Sequence, residues 1–512
     1  MKKAEAYWPL ILLMALIKFV LPIFLQSPVY ELQRDEFLYY QQGLHPALGY
    51  LENPPLISWM AMISSWFGGS EAWIKFWPCL LGAGTVILTC LITAELGGNR
   101  FAQFLASLGI ITGAYLRIHF LFQPNILDIF FWTLVVYFLV CYINNPSRSN
   151  IYGIFISLAL GWWGKYSIVF IGAALVLGLL LTPHRKIFRK KETWIAILFA
   201  CIIIAPNIAW QFTHNWPVIH HMRELRETQL QFVDPMNFLK DQVLMLLPVA
   251  IVWITGFVWL LKRPAYRIVC IIYILVIVLL IVGNGKNYYA LGIYPPLLAA
   301  GAVSIENWSS RFLWVRAAMV ALIFLLTLPF IPLLLPTKPP EELAQFYKKF
   351  GIEKTGLLEW EDQQNHPLPQ DFADMTGWKE LSEKAERFYN VLPDTTKKQT
   401  IIFGRHYGHA GALSYYAGSK DFRKKIITDN GSFLLWIPAD LQFRHLLFIG
   451  RRMPEADDEV FQHFRNYILV DSVTNPWSRQ HGDKIIFFRD IDEEGLRLAK
   501  EELEEEKNRF RR

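Results

Sequence analysis

From residue 7 to residue 335 the chain is a succession of apolar runs, most of them about as long as a helix must be to cross a bilayer. With about 20 residues per crossing, the runs fall near 7–26, 74–96, 101–118, 126–144, 151–164, 166–183, 193–211, 242–261, 267–283, 287–304 and 313–335. In lipid the backbone polar groups must be satisfied internally, and apolar runs of this length do so as helices. The composition agrees: 53% of residues are hydrophobic and 18% charged, against about 25% charged in soluble domains. A soluble enzyme, a disordered chain and a fibrous chain are all disfavoured. The first run, from Tyr7 to about Phe24, is too long for a signal-peptide core and no small-x-small site follows it, so it reads as an uncleaved span. All five cysteines lie in or beside apolar runs, which argues against a disulfide framework or a cysteine zinc site.

The net charge of +6 reads as the positive-inside bias of a membrane protein rather than as a nucleic-acid footprint. If Lys2 and Lys3 are cytoplasmic, the segments on their side carry fourteen Lys and Arg, including Arg185, Lys186, Arg189, Lys190 and Lys191. The opposite loops carry eight. That difference places the N-terminus inside, and about eleven spans then place the C-terminus outside. Two outer loops are long, 27–73 and 212–241, and loops of that length carry function more often than simple connections do. In the first, residues 56–67 read as an interfacial amphipathic helix.

Beyond about Lys338 the sequence becomes charged and contains no span. Residues 399–403, 433–437, 446–449 and 484–488 read as short buried strands; 341–350, 410–417 and 458–464 read as helices; 493–512 reads as a charged, solvated helix. The expected architecture is a polytopic α-helical membrane domain over residues 1–336, with a small soluble α/β domain over 337–512.

Chemistry-bearing residues gather on the outer face. Asp35-Glu36 follows the first span. Glu52 is held by the rigid turn Asn53-Pro54-Pro55, whose prolines fix φ and keep Asn53 extended. Asp128 opens an apolar span, where an ionisable group faces a partner or a cavity. Lys165 lies between two short spans; His220, His221, Arg223 and Arg226 cluster in the second long loop; Lys286 precedes Tyr288-Tyr289. One acid with several cations on one membrane face suits transfer of a sugar from a lipid phosphate. The phosphate is already a good leaving group whose charge cations must meet, and the acceptor hydroxyl needs one general base. No HExxH, nucleophile elbow, P-loop or GxGxxG is present.

The set Asp35-Glu36, Gly49-Tyr50…Glu52-Asn53-Pro54-Pro55, the Asp128 segment, Gly164-Lys165 and Lys286…Tyr288-Tyr289…Tyr294-Pro295 resembles bacterial relatives of the protein O-mannosyltransferases. It is similar also to the aminoarabinose transferases that modify lipid A, which are glycosyltransferases of the membrane-embedded GT-C fold. The resemblance covers roughly residues 5–335. It implies a polyprenyl-phosphate-linked sugar as donor and a glycolipid, polysaccharide or protein as acceptor, at the outer face of a bacterial inner membrane. It implies Asp35 as the catalytic base and Lys165, Arg226, Arg223 and Lys286 as phosphate contacts. Glu36, Glu52, Asp128, Tyr288 and Tyr289 would line the cavity or meet the acceptor. It also implies a divalent metal (zinc, or magnesium or manganese) on Glu52 with His221 or His220, although one Glu and one His are too few ligands to specify zinc. In the lipid A transferases a lysine follows the glutamate; here that position is Asn53, so their donor geometry does not carry over intact. A transporter, flippase or silent binder of lipid-linked sugars is the alternative class, although no internal repeat of the kind common in transporters is present.

The topology is directly testable. Reporter fusions after Lys191 and after Arg512 are expected on opposite sides of the membrane; finding both on one side would dissolve the shared outer face.

Overall fold

A computed structural model describes residues 3–228, 230–453 and 459–511. Among these, six helices are long and apolar enough to cross a membrane: Trp8–Leu25, Glu71–Glu95, Asn125–Asn144, Lys191–Thr213, Asn287–Trp308 and Leu313–Leu334. The number rises to eight if each of two bent pairs is one span, Ile168–Leu180 with Pro183–Arg189 (104°) and Pro235–Leu244 with Leu247–Leu261 (64°). The other apolar runs form shorter helices, Arg100–Ile111, Arg148–Gly164 and Arg267–Val282. The expected eleven thus become six to eight helices of crossing length, with shorter ones packed among them. The 101–118 run shows why: its helix ends at Ile111, Gly113 turns the chain at φ +61°, and a separate turn of helix follows over Ala114–Ile118.

The first long outer loop holds two helices, Arg34–Leu44 and Leu56–Trp66. They cross closely at Gly43, where a Cβ would stand 2.6 Å from the Met62 nitrogen and 2.7 Å from the Ser58 oxygen. The first begins with a reciprocal cap. The Gln33 side chain accepts from the Asp35 N–H at 2.8 Å, and the Glu36 carboxylate accepts from the Gln33 N–H at 2.8 Å. Glu36 has no exposed side-chain surface. Lys75, on the Glu71–Glu95 helix, donates to both its oxygens at 2.6 and 2.7 Å, and the Phe122 N–H donates at 2.7 Å.

The C-terminal part opens with the helix Pro340–Phe350 and contains a five-stranded sheet: β1 Thr400–Gly404, β2 Ile426–Ile427, β3 His445–Gly450, β4 Phe464–Ser472 and β5 Lys484–Ile491. Its order is β2-β1-β3-β5-β4, parallel from β2 to β3 and antiparallel beyond. The helix Tyr407–Tyr416 follows β1, and Glu493–Asn508 ends the fold.

Three local expectations change. Residues 433–437 are not a strand, because Gly431–Trp436 is a 3-10 turn, entered through Gly431 at φ +65° and anchored by Ser432 on Glu52. The expected 458–464 helix is Glu459–Gln462; Phe464 already belongs to β4, and Asp458 lies outside the described residues. β4 itself went unread because it is an edge strand with exposed apolar residues, so its sequence lacks an inward–outward alternation.

This domain sits on the first outer loop. Glu31 accepts from the Trp378 and Lys379 N–H groups at 2.8 and 3.0 Å, and Tyr416 donates to Glu71 at 2.9 Å. Phe37 lies 5.7 Å from the rings of Trp378, Tyr415 and Tyr416, and Arg117 pairs with Asp371.

Removing one partner of a buried ion pair strands the other charge, which costs about 3–5 kcal/mol. Glu36→Ala is therefore expected to lower the melting temperature of the purified protein markedly; an unchanged melting curve would show that Lys75 does not depend on it.

Candidate active site

Asp35 is the second residue of the Arg34–Leu44 helix, and the cap at Gln33 fixes its direction. Adjacent helical residues point roughly 100° apart, so Glu36 turns inward to Lys75 while Asp35, 23% exposed, turns out. Both Asp35 oxygens are engaged. Oδ1 accepts from the Tyr407 hydroxyl at 2.6 Å and faces Arg34 Nε at 3.4 Å, and Oδ2 accepts from Gln123 Nε2 at 3.1 Å.

From Gln123 the contacts run on. Asn125 Nδ2 donates to Gln123 Oε1 at 3.1 Å, and Lys165 Nζ donates to Asn125 Oδ1 at 2.7 Å. An unbroken hydrogen-bonded chain thus joins the outer-loop acid to the cation. Its three bonds and two amide groups put the two charges no more than about 14 Å apart. Lys165 caps the Arg148–Gly164 helix and lies 3.9 Å from the centre of the Tyr289 ring and 5.9 Å from that of Tyr288. It feels the charges of Asp128 and Lys286. Asp128 is buried in the Asn125–Asn144 helix; Oδ2 accepts from Ser167 at 2.7 Å, and Oδ1 has no hydrogen-bond partner among the described residues. Tyr288 lies within the electrostatic reach of Asp35 and Asp371. Lys286 feels the same region, acting on Lys165, Asp371 and Glu361.

The other expected residues lie elsewhere. Glu36 faces the protein interior, not a cavity. Glu52 is a tie to the C-terminal domain: its oxygens accept from the Ser432 N–H at 2.6 Å, the Ser432 hydroxyl at 2.5 Å and Gln42 at 3.0 Å. Burial pushes its carboxyl above the usual range, against these bonds. Asn53 is buried, accepting from Gln42 and donating to the Pro54 carbonyl. Arg223 and Arg226 are exposed on the Pro217–Thr228 helix, and among the described residues no hydrogen bond ties them to the Asp35–Lys165 chain. His220 packs its ring edge-on against Phe510. Burial, assisted by Lys286, pushes His221 down to about 4, so its ring is neutral. Among the described residues no three His, Cys, Asp or Glu gather to hold a metal ion. Glu52, with both oxygens taken by Ser432 and Gln42, is not a fit for one.

Sequence reasoning missed Tyr407, Gln123 and Asn125. The two amides had a signal, since polar side chains at the mouth of an apolar span need partners. Tyr407 lies 372 residues from Asp35 and had none.

Residues 52–210 match the family model described as dolichyl-phosphate-mannose-protein mannosyltransferase. The lipid A galacturonosyltransferase RgtD of Rhizobium johnstonii is 24% identical over 204 residues, which are 37% of this chain. The match spans 41% of that relative's length. The structure of ArnT from Cupriavidus metallidurans bound to undecaprenyl phosphate superposes with a TM-score of 0.62 at 11% identity, covering 95% of this chain and 98% of that one. The apo structure of the same protein gives 0.58 at 12% identity, covering 94% and 97%. The chain thus shares the fold of ArnT, and over part of its length its sequence is similar to the dolichyl-phosphate-mannose-protein mannosyltransferase family model and to a lipid A galacturonosyltransferase.

Proposed function

We propose that this protein is an integral-membrane glycosyltransferase that moves a sugar from a polyprenyl-phosphate donor to an acceptor hydroxyl at the outer face of a bacterial inner membrane. The N-terminus is cytoplasmic and the C-terminal domain periplasmic. The observation that carries the reading is the hydrogen-bonded chain from Asp35 to Lys165, an acid and a cation held on one framework beside two tyrosines. Asp35 takes the proton of the acceptor hydroxyl as its oxygen bonds to the anomeric carbon. The bond from that carbon to the phosphate oxygen breaks, and the released lipid phosphate is met by Lys165, with Lys286 adding charge nearby. Arg223 and Arg226, on the exposed helix of the second loop, are left out of this step. No step passes through a metal ion. The likeness to a lipid A galacturonosyltransferase favours a glycolipid acceptor; a polysaccharide or a protein is the other outcome of the test.

The test compares surface glycolipids, polysaccharides and glycoproteins by mass spectrometry in cells with and without the protein. One class should lose a sugar-sized mass. Loss of a general base costs about 10²–10⁴-fold, so Asp35→Asn and Asp35→Ala should reduce transfer by that order while the protein inserts and binds undecaprenyl phosphate. Lys165→Ala removes a charge-assisted contact and should weaken undecaprenyl phosphate binding roughly 10- to 100-fold. Full transfer by Asp35→Asn would reverse the assignment of the base, and a flippase would show it.

A further inference from the structure

The C-terminal domain reaches into the site with one side chain. The parallel part of its sheet runs β2-β1-β3, so the chain leaves β1 toward one side and returns on the other. In open α/β sheets the crevice outside the carboxyl end of a strand at such a reversal is where ligands are held. Here the loop after β1 carries Arg405-His406-Tyr407 into the helix Tyr407–Tyr416, and the outer-loop segment carrying Arg34 and Asp35 lies against it. Gly408 lets the two surfaces close, since a Cβ there would meet the Arg34 side chain at 2.7 Å.

Resting on the reading of Asp35 as base, we infer that Tyr407 is a positioning residue that fixes which oxygen of Asp35 does the work. A carboxylate has about four lone-pair positions. The Tyr407 hydroxyl and Arg34 take up Oδ1, while among the described residues Oδ2 accepts only from Gln123. The position left for an acceptor hydroxyl is therefore on Oδ2, the oxygen at the head of the chain that leads to Lys165. Without Tyr407 the carboxylate could rotate about its Cβ–Cγ bond and exchange the two oxygens. Burial and the neighbouring Asp35 charge keep the phenol far above its usual range, so Tyr407 remains a donor across the working range of pH. The soluble domain is on this account part of the active site as well as a cover for the outer loop.

The experiment uses the full-length protein in membranes, with the donor and acceptor found by the mass-spectrometric comparison, and undecaprenyl phosphate as a separate binding probe. Misplacing a reacting group by about 1 Å costs on the order of 10²-fold. Tyr407→Phe should lower kcat by that order and leave the donor KM and undecaprenyl phosphate binding unchanged. Tyr416→Phe is the control: it removes a hydroxyl from the same helix that also crosses to the outer loop, at Glu71, and should keep the wild-type kcat. A wild-type kcat in Tyr407→Phe overturns the inference, as does an equal loss in Tyr416→Phe, which would reduce Tyr407 to a docking contact. Should Tyr407→Phe fail to fold, 4-fluorophenylalanine at 407 fills the space of the hydroxyl without its proton; a wild-type kcat then overturns the assignment. Asp35→Asn in the same assay separates the two levels. If it keeps full transfer, the base itself is misassigned; if it is inactive while Tyr407→Phe is normal, only the role of Tyr407 falls.

Discussion

One buried carboxylate organises the loop between the first two long apolar helices. Glu36 accepts hydrogen bonds from three places that are far apart in sequence: the Gln33 N–H at its own helix start, Lys75 on the Glu71–Glu95 helix, and the Phe122 N–H just before the Asn125–Asn144 helix. A charge without solvent access is tolerable only when its partners are fixed, because desolvation otherwise exceeds the attraction. The outer-loop helix is therefore locked in rotation as well as in place. That lock decides where its neighbour Asp35 points, and it brings Gln123, next to Phe122, within reach of Asp35.

The second organising feature is the way the soluble domain closes over this loop. Its contacts are distributed: Glu31 on two backbone N–H groups, Glu52 on Ser432, Tyr416 on Glu71, and a cluster of rings around Phe37. Several of these join a membrane-domain carboxylate to neutral donors of the soluble domain. At those points the surfaces are held in register by hydrogen bonds to neutral donors, and the ion pair of Arg117 with Asp371 adds to them. The region beside Asp35 is also balanced in charge. Arg34 feels Asp35, Asp374 and Glu361, and Arg479 bridges Asp374 and Glu361. The cations there are largely engaged by protein carboxylates, whereas Lys165 is held by the neutral amide of Asn125. A cation held by an amide keeps more of its field for an incoming anion than one already paired with a carboxylate.

Much of this could be read in the sequence, and for physical reasons. The membrane helices were visible because lipid imposes a length and a composition on any segment that crosses it. Where the reading was too simple, glycine or proline had broken a run: Gly113 divides the 101–118 stretch, and the bend between Pro235–Leu244 and Leu247–Leu261 falls beside Pro248. Asp35, Lys165, Asp128 and the tyrosine pair stood out because polar groups at the membrane boundary are costly and few. The cap formed by Gln33 and Glu36 was not legible, because the helix-start spacing has Ser, Thr, Asp or Asn at its first position. Only the folded geometry identifies Glu36 as structural.

The sequence by itself determined that a series of apolar helices is followed by a charged C-terminal part, and which polar residues stand at the ends of the apolar runs, because hydrophobic length and charge act locally along the chain. Only the tertiary structure decided how those residues are joined. It turned Glu36 to Lys75, took Glu52 for Ser432, left Arg223 and Arg226 on an exposed helix, and set Tyr407 against Asp35. The reason is that a hydrogen bond depends on distances of about 3 Å and on direction. Such geometry between residues hundreds of positions apart is fixed only when the packed helices and the docked sheet close around them.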